Sequence, residues 1–275
     1  MSFFFYILEI KYILMNEIKS LLKGESQINY GVIHGGNKIF IMLPGISLCS
    51  ILKNINAIEF AYQEILKEYT IYVFDHEMPS QDITFDDIAD DIIYALDSLK
   101  INKAVIYGVS IGALITLKMS IVRPDLIDKM IIVAGTLKVD EKQLVVLRRW
   151  EAMSNEYKIE EMNKDFFTTM FTDDYVNRNL NSLDFFIHNG NKHECDCFSR
   201  VIRAMYDFDI VDELRNVNVK AFVIGSDLDP IFGEQASRKI AEVLNADLYI
   251  YKNYSHAFYD EAPDFKHRLM QWLEN

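Results

Sequence analysis

The sequence predicts a doubly wound α/β protein with a mostly parallel sheet, and two observations carry that prediction. Short apolar runs alternate with amphipathic helical patterns from residue 28 to about 133, and the alternation resumes at 219 and runs to the end of the chain. Between these stretches, residues 137–216 hold many charges, helix-like segments and no convincing strand. The expected organisation is therefore a core of residues 1–136 and 217–275, interrupted by a helical cap insertion at 137–216.

The elements are taken in chain order. Gln27–Ile33 and Lys38–Leu43 read as strands flanking His34-Gly35-Gly36-Asn37, a glycine-bearing link expected to be a hairpin turn. A helical stretch near Ile55–Tyr69 leads to a strand at Thr70–Phe74. The next helix runs from about Thr84 to Leu99, and Thr84 with Asp87 makes a capping-type start. A strand at Lys103–Tyr107, a helix at Ile111–Val122 and a strand at Lys129–Val133 continue the series, which requires right-handed crossovers and a sheet covered on both faces. Helices are expected at Glu141–Asn155 and Ile159–Phe171 within the insertion. Beyond it come a strand at Val219–Ile224, a helix at Glu234–Leu244, a strand at Asp247–Tyr251 and a closing helix at Asp264–Leu273.

Composition narrows the function classes. Half of the 275 residues are apolar and a quarter charged, the balance of one folded body with a large core. The net charge of −13 repels phosphate backbones and anionic membrane surfaces, which argues against nucleic acid as a partner. Three cysteines without framework spacing suit a reducing compartment, so a cytoplasmic location is expected. The apolar start, MSFFFYILEIKYILM, is shorter than the ~20 residues a spanning helix needs and is broken by Glu9 and Lys11. It also lacks the basic start and small-residue cleavage site of a signal peptide. Residues 1–15 read as an extension docked on the body, or as the product of an early start codon with Met15 the true beginning; no membrane span is expected.

The chemistry is announced at Gly108-Val109-Ser110-Ile111-Gly112, a G-x-S-x-G pattern set between a predicted strand and a predicted helix. With 11 glycines in the chain, chance supplies the pattern roughly 0.02 times per chain of this composition. Glycines are needed there because the serine sits in a strained turn whose neighbours would otherwise collide with the adjoining strand and helix. The same turn aims the N-terminus of the next helix at the place where negative charge develops.

This segment resembles the nucleophile elbow of the α/β-hydrolase superfamily, and the element order from about residue 28 to 275 is similar to that family throughout. The resemblance implies an α/β-hydrolase fold and a Ser–acid–His triad in that chain order. Ser110 is then the nucleophile. The acid falls in Gly225-Ser226-Asp227-Leu228-Asp229-Pro230, where Asp229 fits the family register and Asp227 is the alternative. The base is His256, in Tyr254-Ser255-His256-Ala257 after the last strand, although the glycine usual near that histidine is missing. Leu43-Pro44-Gly45-Ile46 resembles the oxyanion loop with proline in place of histidine, so the amides of Ile46 and Ile111 are the expected oxyanion donors. Among the other histidines, His76 stands in a loop where relatives carry a glycine-rich turn, and a solvated loop is expected there.

The resemblance thus implies acyl transfer on a small-molecule substrate, with a small carboxylic ester as the default and no cofactor or metal required. Thioester, amide and carbon–carbon hydrolysis, acyl transfer to another acceptor, and a non-catalytic receptor of the same fold stay open. Among His188, His193, Cys195 and Cys197, the Cys-x-Cys pair is spaced more tightly than in a usual zinc site, and no metal is expected on them. The cap residues Trp150, Phe166, Phe167, Met170, Phe171, Phe185, Phe186, Met205 and Tyr206 either line an apolar acyl pocket or hold the helices down as core.

Overall fold

A computed structural model of the chain describes residues 16–24, 26–47, 49–75 and 82–275. Its strands are β1 (Glu17–Lys23), β2 (Ser26–Ile33), β3 (Lys38–Leu43), β4 (Tyr69–Phe74), β5 (Ala104–Val109), β6 (Ile127–Val133), β7 (Ala221–Ser226) and β8 (Asp247–Tyr251). They form one sheet in the order β1-β2-β4-β3-β5-β6-β7-β8. From β4 to β8 all neighbours are parallel, and β1 and β2 run antiparallel at one edge. The chain has the α/β-hydrolase fold.

Helices α1 (Ile55–Ala61), α2 (Gln63–Leu66), α3 (Phe85–Ser98) and α4 (Ile111–Val122) connect the first strands. Between β6 and β7 lie α5 (Glu141–Asn155), α6 (Ile159–Met170), α7 (Asp173–Arg178), α8 (Leu180–Ile187) and α9 (Lys192–Ala204), with no strand among them. Helix α10 (Glu234–Leu244) joins β7 to β8, and α11 (Phe258–Glu261) and α12 (Phe265–Leu273) end the chain.

The strand pleat sorts the core into two layers. Ile41, Ile106, Ile132 and Val223 face the side covered by α3, α4 and α10, whereas Phe40, Val105, Ile131 and Phe222 face α1, α2 and α12. Every residue of β5 is buried, as a central parallel strand covered on both faces must be, and this fixes the height at which Ser110 leaves the sheet.

Three expectations change. The link 34–37 is not a hairpin: β2 and β3 are separated by β4, with β2 antiparallel and β3 parallel to it. Gly35 and Gly36 serve a crossing instead, since a Cβ at either would come within 2.3 Å of backbone at Leu66, Glu68 or Tyr69. The amide of Gly36 donates to Leu66 O at 2.9 Å, tying the crossing to the end of α2. The sheet also begins earlier than the pattern indicates, because β1 is an edge strand of mixed, partly exposed residues with no clean apolar face. The expected helix 55–69 divides at Tyr62, whose side chain is buried with its hydroxyl 3.2 Å from that of Tyr107. The expectations for residues 1–15 and for His76 fall outside the described residues.

Candidate active site

Ser110 has φ 52° and ψ −115°, a conformation that costs a side-chain-bearing residue about 1–3 kcal/mol and survives only where its surroundings enforce it. The enforcement is visible. Its N–H donates to Val133 O at 2.8 Å, and its carbonyl accepts from Ala113 N at 2.9 Å, so β6 holds one side of the turn and the first turn of α4 the other. A Cβ on Gly108 would lie 2.3 Å from Gly112 O, and one on Gly112 only 1.9 Å from Leu43 O. The pattern's two glycines thus allow α4 to press on β5 and the end of β3 to press on α4.

That second approach brings residues 44–46 alongside the serine. Ser110 Cβ is 3.4 Å from the point a Cβ on Gly45 would occupy. Ile46 follows that glycine and Ile111 follows the serine, so the two expected oxyanion donors belong to segments that meet here.

The turn after β7 gives its two aspartates different partners. Asp229 Oδ1 accepts from the amides of Ile231 at 2.8 Å and Phe232 at 3.2 Å, and lies 2.9 Å from His256 Nδ1. Both side chains are essentially sealed from solvent, at 3% and 0% exposure. The contact is off the line of an ideal hydrogen bond, and His256 Nε2 has no hydrogen-bond partner among the described residues. Asp227 instead accepts from Asn253 N at 2.7 Å and lies 3.7 Å from Lys252 Nζ. It is a brace for the histidine loop, helped by a bond from Ser226 Oγ to Ser255 O at 2.7 Å.

The helical insertion closes over the same region. Ala257 N donates to Met170 O at 2.8 Å, and Glu261 accepts from Thr172 N at 2.9 Å and Thr172 Oγ1 at 2.6 Å. A cavity of about 320 Å³ lies between insertion and core, reaching Gly45, Ile46, Val109 and Ala257, the neighbours of Ser110 and His256. Phe166, Phe167, Met170, Phe171 and Phe186 wall it on the insertion side. Trp150 and Met205 are core instead, each 1% exposed, and Tyr206 donates to Glu151. The side chain of Phe185 is outside the described residues. Among the polar lining groups, Tyr62, Tyr107, Tyr259 and Asp260 carry no motif; the only signal in the sequence is that Tyr259 and Asp260 come three and four residues after the histidine.

The histidines and cysteines near the end of the insertion do not converge. His188 is exposed and 3.2 Å from Glu160, Cys197 Sγ is 3.7 Å from His193 Nε2, and Cys195 is buried with its thiol pushed up by desolvation. No group of three His, Cys, Asp or Glu side chains able to hold a metal occurs among the described residues.

Comparison with known proteins adds three findings. The model of a family described as "Serine aminopeptidase, S33" matches residues 77–263. A protein of Caulobacter sp. (strain K31) named "Putative carbamate hydrolase RutD" is 24% identical over 212 residues, which cover 74% of this chain and 79% of that one. Among solved structures, MGS-M2, an α/β hydrolase from a Medee basin deep-sea metagenome library, superposes with a TM-score of 0.82 at 17% identity, covering 94% of this chain and 98% of the other. The enol-lactonase of Burkholderia xenovorans LB400 gives 0.81 at 16% identity, covering 94% and 100%.

Proposed function

The chain belongs to the serine aminopeptidase S33 family of α/β-hydrolase enzymes, and on that premise we propose that it hydrolyses a small carboxylic ester or related acyl compound through Ser110, His256 and Asp229. The observation that carries this reading is the buried 2.9 Å contact between Asp229 and His256, formed by loops after β7 and β8, in a fold whose elbow presents Ser110.

Ser110 Oγ bonds to the substrate carbonyl carbon as its proton passes to His256, and Asp229 holds the ring and stabilises the imidazolium. The Ile46 and Ile111 amides receive the oxyanion, each worth about 10²–10³ in rate. The imidazolium returns its proton to the departing group as the carbon–oxygen bond breaks. Water then attacks the acyl carbon and gives its proton to His256, which passes it to Ser110 Oγ as the acyl–serine bond breaks, releasing the acid and free Ser110. The helices between β6 and β7 act as a cap that shields these steps from bulk water, and the phenylalanine wall receives the apolar part of the substrate. The carbamate and lactone named for relatives are acyl compounds that the same steps would open.

The test is hydrolysis of a chain-length series of p-nitrophenyl acyl esters by the wild type, Ser110→Ala and His256→Ala, with folding checked by circular dichroism. Wild-type turnover that falls by about 10⁴-fold in both folded variants is expected. An inert wild type, or an undiminished Ser110→Ala, overturns the reading.

A further inference from the structure

Resting on the hydrolase reading above, we propose that the cavity beside Ser110 receives a hydroxyl-bearing apolar group of the substrate, and that Tyr62, Tyr107, Tyr259 and Asp260 form the polar seat that recognises its hydroxyl. The four side chains line the cavity whose other wall is phenylalanine and methionine. Lys266 lies beside two of them: its Nζ is 3.7 Å from Asp260 Oδ1 and 5.7 Å from the centre of the Tyr62 ring, and it donates to the backbone carbonyl of Tyr259. The Tyr62 and Tyr107 hydroxyls are 3.2 Å apart. The Tyr259 hydroxyl is 3.9 Å from the point a Cβ on Gly45 would take, and Ser110 Cβ is 3.4 Å from that same point, so the seat begins next to the serine.

The hydrogen-bond inventory leaves this seat with unused capacity. The tyrosine pair has two hydroxyl protons for one mutual bond, so one proton is spare, and the Tyr259 hydroxyl makes no hydrogen bond among the described residues. Burial pushes all three phenols above their ordinary range, which keeps them protonated as donors. Asp260 supplies acceptors; its surroundings push its carboxyl up although its side chain is 54% exposed, and Lys266 offsets that rise only in part.

Charge and bonding then select the ligand. A carboxylate would meet Asp260 and be repelled. A cation would find Asp260 already paired with Lys266. A plain alkyl or aryl group would leave the spare phenol protons unbonded, which a site built to hydrogen-bond penalises. A hydroxyl both donates and accepts, and matches the spare phenol protons and the acceptor together.

Isothermal titration of the full-length Ser110→Ala chain with 4-ethylphenol, ethylbenzene and 4-ethylbenzoate tests this. The phenol is expected to bind about tenfold more tightly than ethylbenzene, with the benzoate weakest. Adding Tyr259→Phe or Asp260→Leu is expected to cut the phenol's advantage about threefold or more. The Tyr259→Phe change removes a hydroxyl that holds nothing inside the protein, so it keeps the test alive if loss of Asp260 disturbs the fold. Equal affinity for phenol and ethylbenzene, no binding of any of the three, or an advantage untouched in both variants overturns the inference. Ester hydrolysis by the wild type without a phenol preference removes this inference alone, whereas a phenol preference in a chain inert toward every ester supports the seat and removes the hydrolase reading.

Discussion

Asp227 and Asp229 stand two residues apart in one turn, yet one braces a loop and the other touches the imidazole. The difference predicts their variants. Asp229→Asn is expected to lower kcat on p-nitrophenyl esters by about 10³–10⁴-fold, because the amide no longer stabilises the imidazolium or fixes its tautomer. Asp227→Asn is expected to leave kcat within a few-fold and to cost about 1 kcal/mol of stability through the weakened bond to Asn253. Ser110 invites a second comparison. Its positive φ is strain retained for the sake of the turn, so Ser110→Gly is expected to melt above Ser110→Ala, by the equivalent of about 1 kcal/mol in denaturant titrations. Equal stabilities would show that the elbow is not strained.

Two elements show how local chemistry fixes the scaffold that carries these residues. Helix α3 opens with a full capping box, Thr84 Oγ1 accepting from Asp87 N at 3.1 Å and Asp87 accepting from Thr84 N at 2.9 Å. Thr84→Ala is expected to cost about 1 kcal/mol. The hydrogen bonds from Thr84 hold the Asp87 carboxyl below its ordinary value. A carboxyl depressed in the folded state contributes stability that is present above its unfolded pKa and is lost as pH falls through the folded one. The gap in melting temperature between Thr84→Ala and wild type should therefore narrow on acidification below about pH 4. At the elbow, Gly112→Ala would drive a methyl into Leu43 O. Because that neighbour is backbone, relief requires the β3 loop to retreat, taking Ile46 with it. A loss of about 1–3 kcal/mol and a fall in kcat larger than in KM are expected.

At the scale of the whole molecule, the insertion and the core are fastened close to the histidine. Glu261, on α11, grips the backbone and hydroxyl of Thr172, and Ala257 is bonded to Met170. Glu261→Ala is expected to speed amide exchange across residues 165–175 while leaving β5 and β6 protected, and to blur the acyl-length preference, since Phe166, Phe167, Met170 and Phe171 wall the cavity. Exchange unchanged in that segment would mean that other contacts hold the insertion. No helix among the described residues is long and apolar enough to cross a membrane, and the net charge of −13 keeps the surface acidic.

The period of the apolar residues by itself determined the α/β class, the bounds of α4, α5, α10 and β8, and the helical character of 137–216, because each is written in neighbours a few residues apart. The strand-to-helix setting of Gly108–Gly112 marked the serine for the same reason. Only the tertiary structure decided what depends on distant partners. The crossing at 34–37 looked like a hairpin because its glycines permit either path, and what makes it a crossing is the backbone of Glu68 and Tyr69 pressed against them. Asp229 and Asp227 are chemically alike, and which one meets a histidine 27 residues onward is set by how the loops after β7 and β8 lie together. Aromatic residues at helical spacing read the same whether they become core, as Trp150 does, or cavity wall, as Phe166 does, because burial against protein and burial against a ligand place the same demand on the sequence.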